Sequence, residues 1–316
     1  MTTNSTLLRL LLLIALAAAG THSYAQISSA STDRHSIIGA RGSAMGDANI
    51  AEPFDAMVLY WNPAALVRIL HPTLIANFSV ELNDYEDQFL TENVTLPLPL
   101  LRDWGLGAGL TLTHLAKTTD ESPFRGLNFS IFKMDLAGSR ALGNSFSLGG
   151  GLIMRYAQGA GEKITTFAGS VGLLYVPNPN VSYGFSLQGL GDGVDFNTES
   201  GSASLVKTSG PKSAQIGATI RTHDPQYSRF TLSIAAEKLI DSTGLVYKGG
   251  IEALPFTFLV LRIGYWVGPD TRAARYGVGL ILGDFLLDYT VAPSHLEPRF
   301  HQVSLSYDLQ RRTGKR

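Results

Sequence analysis

From about residue 72 to residue 310 this chain alternates, placing an apolar side chain at one position and a small or polar one at the next. In FSLGGGLIMRYA, Phe146, Leu148, Leu152, Met154 and Tyr156 share one face, while Ser147, Gly149, Gly151 and Arg155 share the other. VSLSYDL repeats this, with Val303, Leu305, Tyr307 and Leu309 against Ser304, Ser306 and Asp308. Period two is the mark of a strand with two different faces. About fourteen such segments can be marked, most near the roughly 9–11 residues that a tilted strand needs to cross a bilayer. They fall at 72–83, 90–99, 104–116, 127–141, 145–157, 164–176, 180–190, 212–221, 228–238, 245–254, 257–268, 274–283, 284–291 and 300–310. The expected fold is all-β: an antiparallel transmembrane β-barrel of about fourteen strands.

The connections support a barrel over a sandwich. Short turn sequences, LGNS at 142–145, PNPN at 177–180 and LGD at 282–284, follow even-numbered segments. Longer stretches follow odd-numbered ones: AKTTDESPFR, GDGVDFNTESGSASLVKTSGP, VGPDTRAAR and APSHLEPRF. Sorting of loops by parity belongs to a barrel with one tight rim and one loop-bearing rim.

If the apolar faces meet lipid, the opposite faces carry Lys133, Asp135, Arg155, Arg221, Glu237, Lys248, Glu252, Arg262, Asp288 and Asp308, five bases and five acids. An ion-selective pore favours one sign, so this balance predicts paired charges bracing a filled lumen. Tyr156, Tyr175, Tyr183, Tyr265 and Tyr307 stand near segment ends, where aromatic girdles belong. Charged residues are 16% of the chain and the net charge is -1, which gives no footprint for nucleic acid. There is no Cys, hence no disulfide or thiolate site.

Residues 1–25 read as an export signal, with Arg9, the apolar LLLIALAAAG and a small-x-small site at Ser23-Tyr24-Ala25. No later run is apolar for the roughly 18 residues of a membrane helix. The remaining divisions are a segment at 26–70, the barrel at 71–310 and a basic tail at 311–316.

Enzyme chemistry is not indicated, and no cofactor or metal is expected. GLGAGL at 105–110 sits inside a strand with no helix behind it, whereas a dinucleotide loop needs that helix to hold pyrophosphate. The glycines there read as room on a curved wall. DGVDFNTE offers oxygen ligands without EF-hand spacing, and the seven His show no ligand spacing.

Residues 37–66 do not alternate. Gly39, Gly42 and Gly46 allow tight turns, and Asp55 can cap a short helix over 56–61. That helix should stop at Asn62, because Pro63 pushes the residue before it out of the helical region, and Asn62 can then cap a further turn starting at Pro63-Ala64. The block Gly39-Ala40-Arg41, Ala44-Met45-Gly46-Asp47-Ala48, Asp55-Ala56 and Tyr60-Trp61-Asn62-Pro63-Ala64 resembles the PorV/PorQ family of outer-membrane proteins, itself similar to the FadL long-chain fatty-acid transporters. The resemblance implies a fourteen-stranded barrel in a bacterial outer membrane, bounded by outer-membrane lipid. It also implies an N-terminal plug built on Gly39, Arg41, Met45, Gly46, Asp47, Asp55, Trp61, Asn62, Pro63 and Ala64.

Two functions follow. The first, which the plug block favours, is a component of type IX or related protein secretion that binds the C-terminal domains of secreted cargo, docking them chiefly on loop 191–211. The second is a FadL-like channel that takes up hydrophobic small molecules such as long-chain fatty acids through a gap in the wall beside the plug.

Overall fold

The computed structural model describes residues 39–83, 85–101, 103–197, 204–209, 213–222, 229–239, 244–268, 272–292 and 299–309. The export signal and the basic tail lie outside these. Among the described residues the alternating segments form fifteen strands. They are β1 Thr73–Leu82, β2 Gln88–Leu101, β3 Trp104–Lys117, β4 Ser130–Leu142, β5 Phe146–Gly159, β6 Glu162–Asn178, β7 Val181–Asn197 and β8 Ser204–Ser209. The chain continues through β9 Ser213–Arg221, β10 Phe230–Leu239, β11 Leu245–Phe256, β12 Leu259–Val267, β13 Arg272–Leu282, β14 Phe285–Ala292 and β15 Arg299–Asp308.

Apart from β8 and β9, which both pair with β7, each strand pairs antiparallel with its sequence neighbours, and β1 closes on β15. The lower half of β7 pairs with β9 from Val181↔Ile220 to Gln188↔Ser213, and its upper half pairs with β8 from Asp192↔Ser209 to Asn197↔Ser204. β8 and β9 thus share one place in the wall, and the ring is a closed barrel of fourteen. The upper half of β7 and all of β8 fall in the stretch that the sequence assigns to a loop. There the polar and glycine-rich composition hides a hairpin that continues the wall upward.

The period-two pattern has its expected physical result. Side chains on one face point outward, and they are large, apolar and uncovered: Leu152 is 72% exposed and Phe167 65%. A soluble monomer does not leave such a continuous apolar surface in water, whereas a closed barrel, with every strand edge paired, can lie in lipid. No described helix is long and apolar enough to cross a membrane. At the tight-turn rim Phe146 stacks on Tyr175 at 4.4 Å and Phe285 on Tyr307 at 4.7 Å. Tyr183 continues that belt, 6.2 Å from Tyr175, while Tyr156 and Tyr265 lie toward the other rim.

The rims follow the parity rule with two exceptions. Ala160 and Gly161 make a tight turn on the loop-bearing rim, and on the tight rim β9 ends at Arg221 while β10 begins only at Phe230. Residues 39–69 fold back into the lumen as a short helix Ala40–Ala44, a helix Val58–Trp61 and a 3-10 helix Pro63–Arg68. The first of these has no signature in the sequence. The second starts at Val58, later than expected, because Asp55 Oδ1 accepts from Met57 N at 2.8 Å and so organises a turn ahead of the helix.

Candidate functional site

Inside the barrel the segment meets the wall in two ways. Residues 39–55 meet it through hydrogen bonds and charge as well as through backbone laid on Gly184, Gly250 and Gly264. Ala40 N donates to Ser304 Oγ at 2.8 Å, Ser43 Oγ to Gln302 at 2.7 Å, and Thr290 Oγ1 to the carbonyl of Ala40. Gly46 has φ +63, a conformation open to glycine, and a Cβ there would lie 2.6 Å from the carbonyl oxygen of Gly249. Its own carbonyl accepts from Trp266 Nε1 at 2.5 Å.

Arg41 faces three carboxylates: Glu252 at 2.9 Å, Asp55 at 3.1 Å and Glu52 at 3.7 Å. Burial pulls its pKa down, but the charges of Glu252, Glu52 and Asp55 more than offset this and hold the guanidinium well above its ordinary value. Glu252 also accepts from Arg262 at 2.6 Å, and Arg262 reaches Asp288 at 2.6 Å. Arg221 pairs with Glu52 at 3.2 Å and donates to Ser182 at 2.7 Å. On the other side of this half, Arg275 binds Asp47 at 2.5 Å with its guanidinium between the rings of Trp266 and Phe300, 3.8 and 5.0 Å away.

Residues 57–69 meet the wall through shape. Val58, Leu59, Ala64, Ala65, Leu66 and Ile69 form a buried cluster over β3–β6. The wall opposite them is stripped of side chains. A Cβ at Gly105 would fall 2.5 Å from the backbone of Leu66, and Gly149 and Gly172 have no room for one against Ala64 and Asn62. GLGAGL is therefore part of a seat in which helix backbone rests against strand backbone.

Polar anchors hold this half at its ends. Asn62 Oδ1 accepts from Ala64 N at 3.1 Å, while its Nδ2 donates to the carbonyls of Ile50 at 2.9 Å and Leu173 at 3.1 Å. Gln188 caps the end of the Val58–Trp61 helix, donating to the carbonyls of Tyr60 and Trp61 at 3.0 and 2.5 Å. The Tyr60 hydroxyl sits between Thr95 at 2.8 Å and Asn93 at 2.7 Å. Burial, with the charge of Asp135 adding to it, pushes that phenol far above its ordinary pKa, so it stays neutral.

All ten charges assigned to the wet face project into the lumen, but they do not form one cluster. Glu252, Arg262, Asp288 and Arg221 join the plug network. Lys248 pairs with Glu237 at 2.7 Å and Lys133 with Asp135 at 3.6 Å. Arg155 donates to the carbonyl of Asp192 at 3.5 Å, and Asp308 stands at the tight rim. Of the plug residues, Gly39, Arg41, Met45, Gly46, Asp47, Asp55, Asn62, Pro63 and Ala64 are all in contact with the wall or with one another, and Trp61 packs on Met57.

Sequence reasoning missed Arg275, Glu52, Trp266 and Gln188. Arg275 sits in RAAR, read as loop next to a Pro-Asp turn, although Arg275, Gly277 and Gly279 share one strand face. Glu52 lies in the segment without periodicity, where no pattern assigns a partner.

Above this plug, on the loop side, Phe124, Phe129, Ala157, Val194 and Leu205 form a second apolar cluster, with Phe89 edge-on to Phe124 at 5.7 Å. Below it, a cavity of about 240 Å³, lined by both charged and apolar side chains, lies against Gly39, Arg41, Glu52 and Met57 and reaches the β13–β14 turn at the tight rim. The gap expected in the wall beside Asn62-Pro63-Ala64 is absent among the described residues. β5 pairs with β6 without interruption from Phe146↔Tyr175 to Gly159↔Glu162, and β3 with β4 from Trp104↔Arg140 to His114↔Ser130. The nearest irregularity is a one-residue bulge in β7 at Gln188 and Gly189. The described residues contain no group of three His, Cys, Asp or Glu able to hold a metal ion.

No family model matches this chain, and no curated protein matches it. Its fold does match solved structures. The toluene transporter TbuX of Ralstonia pickettii superposes with a TM-score of 0.65 at 12% identity, covering 86% of this chain and 98% of that one. The CymD monoaromatic hydrocarbon channel gives 0.63 at 13% identity over 85% and 96%. A Pseudomonas aeruginosa FadL homologue gives 0.60 at 12% identity over 90% and 100%. At such identities the likeness is one of fold. It is to FadL-like barrels, and the narrower resemblance to PorV/PorQ has no counterpart in it.

Proposed function

We propose that this protein is a non-enzymatic channel of the bacterial outer membrane that admits hydrophobic small molecules and is closed by its N-terminal plug in the state described. One observation carries the reading: a FadL-type barrel holds an inward apolar cluster, Phe89, Phe124, Phe129 and Leu205, on the loop side of a seated plug. These side chains are packed against one another, so an apolar solute enters by parting them, and they offer nothing to an ion. The solved neighbours named as toluene and hydrocarbon channels support the same direction.

Secretion of cargo is the weaker reading. The residues behind it, Met45-Gly46-Asp47-Ala48 and Asn62-Pro63-Ala64, are buried and spent on contacts with the wall, so they speak for a plug and not for a docked partner. The test is uptake of radiolabelled toluene and radiolabelled oleate by cells of a strain lacking its own hydrophobic-solute channels, with and without this protein. Faster uptake of either probe supports the proposal. Unchanged uptake of both, with secreted cargo co-purifying, returns the case to secretion.

A further inference from the structure

We infer that the basic tail, residues 310–316, docks on the acidic mouth of the cavity at the tight rim and ties the end of the last strand to the place where the plug begins. The inference goes beyond the transport reading and holds whatever the barrel carries.

The charge of the cavity is the first observation. It reaches the β13–β14 turn, and among the described residues its lining holds six carboxylates against three guanidinium groups. The guanidinium groups are engaged: Arg41 with Glu252, Asp55 and Glu52, Arg221 with Glu52, and Arg262 with Glu252 and Asp288. The remaining two carboxylates, Asp284 and Asp308, stand at the rim, where β14 begins and β15 ends. The lining therefore carries three more negative charges than positive ones, and low-dielectric walls focus that field on the opening.

The tail supplies the opposite charge from the right place. QRRTGKR contains four bases and no acid. It leaves the wall at the edge of the cavity: the N–H of Asp308 donates to the carbonyl of Asp284 at 3.1 Å, and that of Leu309 to the carbonyl of Pro72 at 3.0 Å. Seven extended residues reach about 23–25 Å, enough to turn back over the β13–β14 turn. A segment tethered this close meets the mouth at an effective concentration of about a millimolar, which a free cation or a separate basic partner must outcompete. The stretch before the plug, 26–38, leads to the same cavity, since Gly39 lines it, but sets Asp33 beside Arg34 and lacks the complementary charge.

The test on the unmodified full chain, purified in detergent, is carbodiimide coupling, which joins a lysine amine to a nearby carboxylate, followed by peptide mapping. Lys315 should be found joined to Asp284, Asp55 or Glu52 at low salt, and these products should fall by about fivefold or more in about 0.5 M sodium chloride. Their absence, their persistence in salt, or coupling of Lys315 chiefly to Asp103 on the β2–β3 turn of the same rim overturns the inference.

Because the chain has no Cys, an introduced pair gives a second readout. Thr313→Cys with Leu286→Cys joins the tail to the cavity lining, and Thr313→Cys with Asp103→Cys joins it to another sector of the rim. The first pair should oxidise about fivefold faster than the second, and replacing Arg311, Arg312, Lys315 and Arg316 by Ser should abolish the difference. Equal rates with the native bases, or a preference that survives their loss, overturns it.

Discussion

Residues 39–55 reach the barrel with charged side chains, and the wall answers with Glu252, Arg262, Asp288, Arg221 and Arg275. Residues 57–69 present helix backbone and aliphatic groups to a wall that answers with glycine. The two surfaces bury comparable stretches of chain, yet they respond differently to change. Removing one member of a buried pair leaves an uncompensated charge, whereas adding one atom to a backbone-to-backbone contact leaves no place for the plug. The second half thus depends on what the wall lacks, and the first half on that and on its charge partners as well.

The largest effect is expected from Arg275→Ala, which strands Asp47 in a fully buried site. It should lower stability by about 3–5 kcal/mol, read as the unfolding midpoint in detergent, and it should expose residues 39–55 to protease while sparing 57–69. Replacing both partners, Arg275→Met with Asp47→Asn, should recover most of the loss, because no buried charge then remains unpaired. If the double variant is as unstable as the single one, packing between Trp266 and Phe300 matters more than charge.

Next comes Gly149→Val on the other half, where the new side chain enters the backbone of Ala64. A cost of about 2–3 kcal/mol is expected, with the protease pattern reversed, residues 57–69 being freed first. A neutral outcome would mean that the glycine seat is loose, and the contrast between the halves would fall.

The smallest effect sharpens the boundary. Asn62 bonds Ile50 in the first half and Ala64 in the second, so Asn62→Ala should cost about 1 kcal/mol for the lost cap and loosen both halves equally. Loosening of one half alone would move the division between them.

Much of the barrel can be read from the chain because every strand states its two faces locally. Alternation from 72 to 310 places the strands to within a few residues, apart from the upper half of β7 and β8, and loop parity separates the rims. What escapes is non-local. β8 is invisible because Ser and Gly in GSASLVKTSG look like turn, and only pairing with β7 makes SLVKTS a strand. Glu52 and Arg275 carry the right charges, but nothing in their spacing names Arg221 or Asp47, more than a hundred residues away. The glycines of β3 and β5 are legible as space. What fills that space is legible only once the plug is folded against them.

The same bare stretch of wall also fixes how leaky the barrel would be without its occupant. With no side chains projecting from β3 and β5 at the level of Gly105, Gly107 and Gly149, the bore there is limited by the peptide backbone and is wider than the strand number alone suggests. The cell's permeability barrier at this site therefore resides in a few dozen residues at the N-terminus. A barrel that lost all of them at once would pass ions and nutrients indiscriminately. The glycine-seated backbone and the buried ion pairs close that bore together.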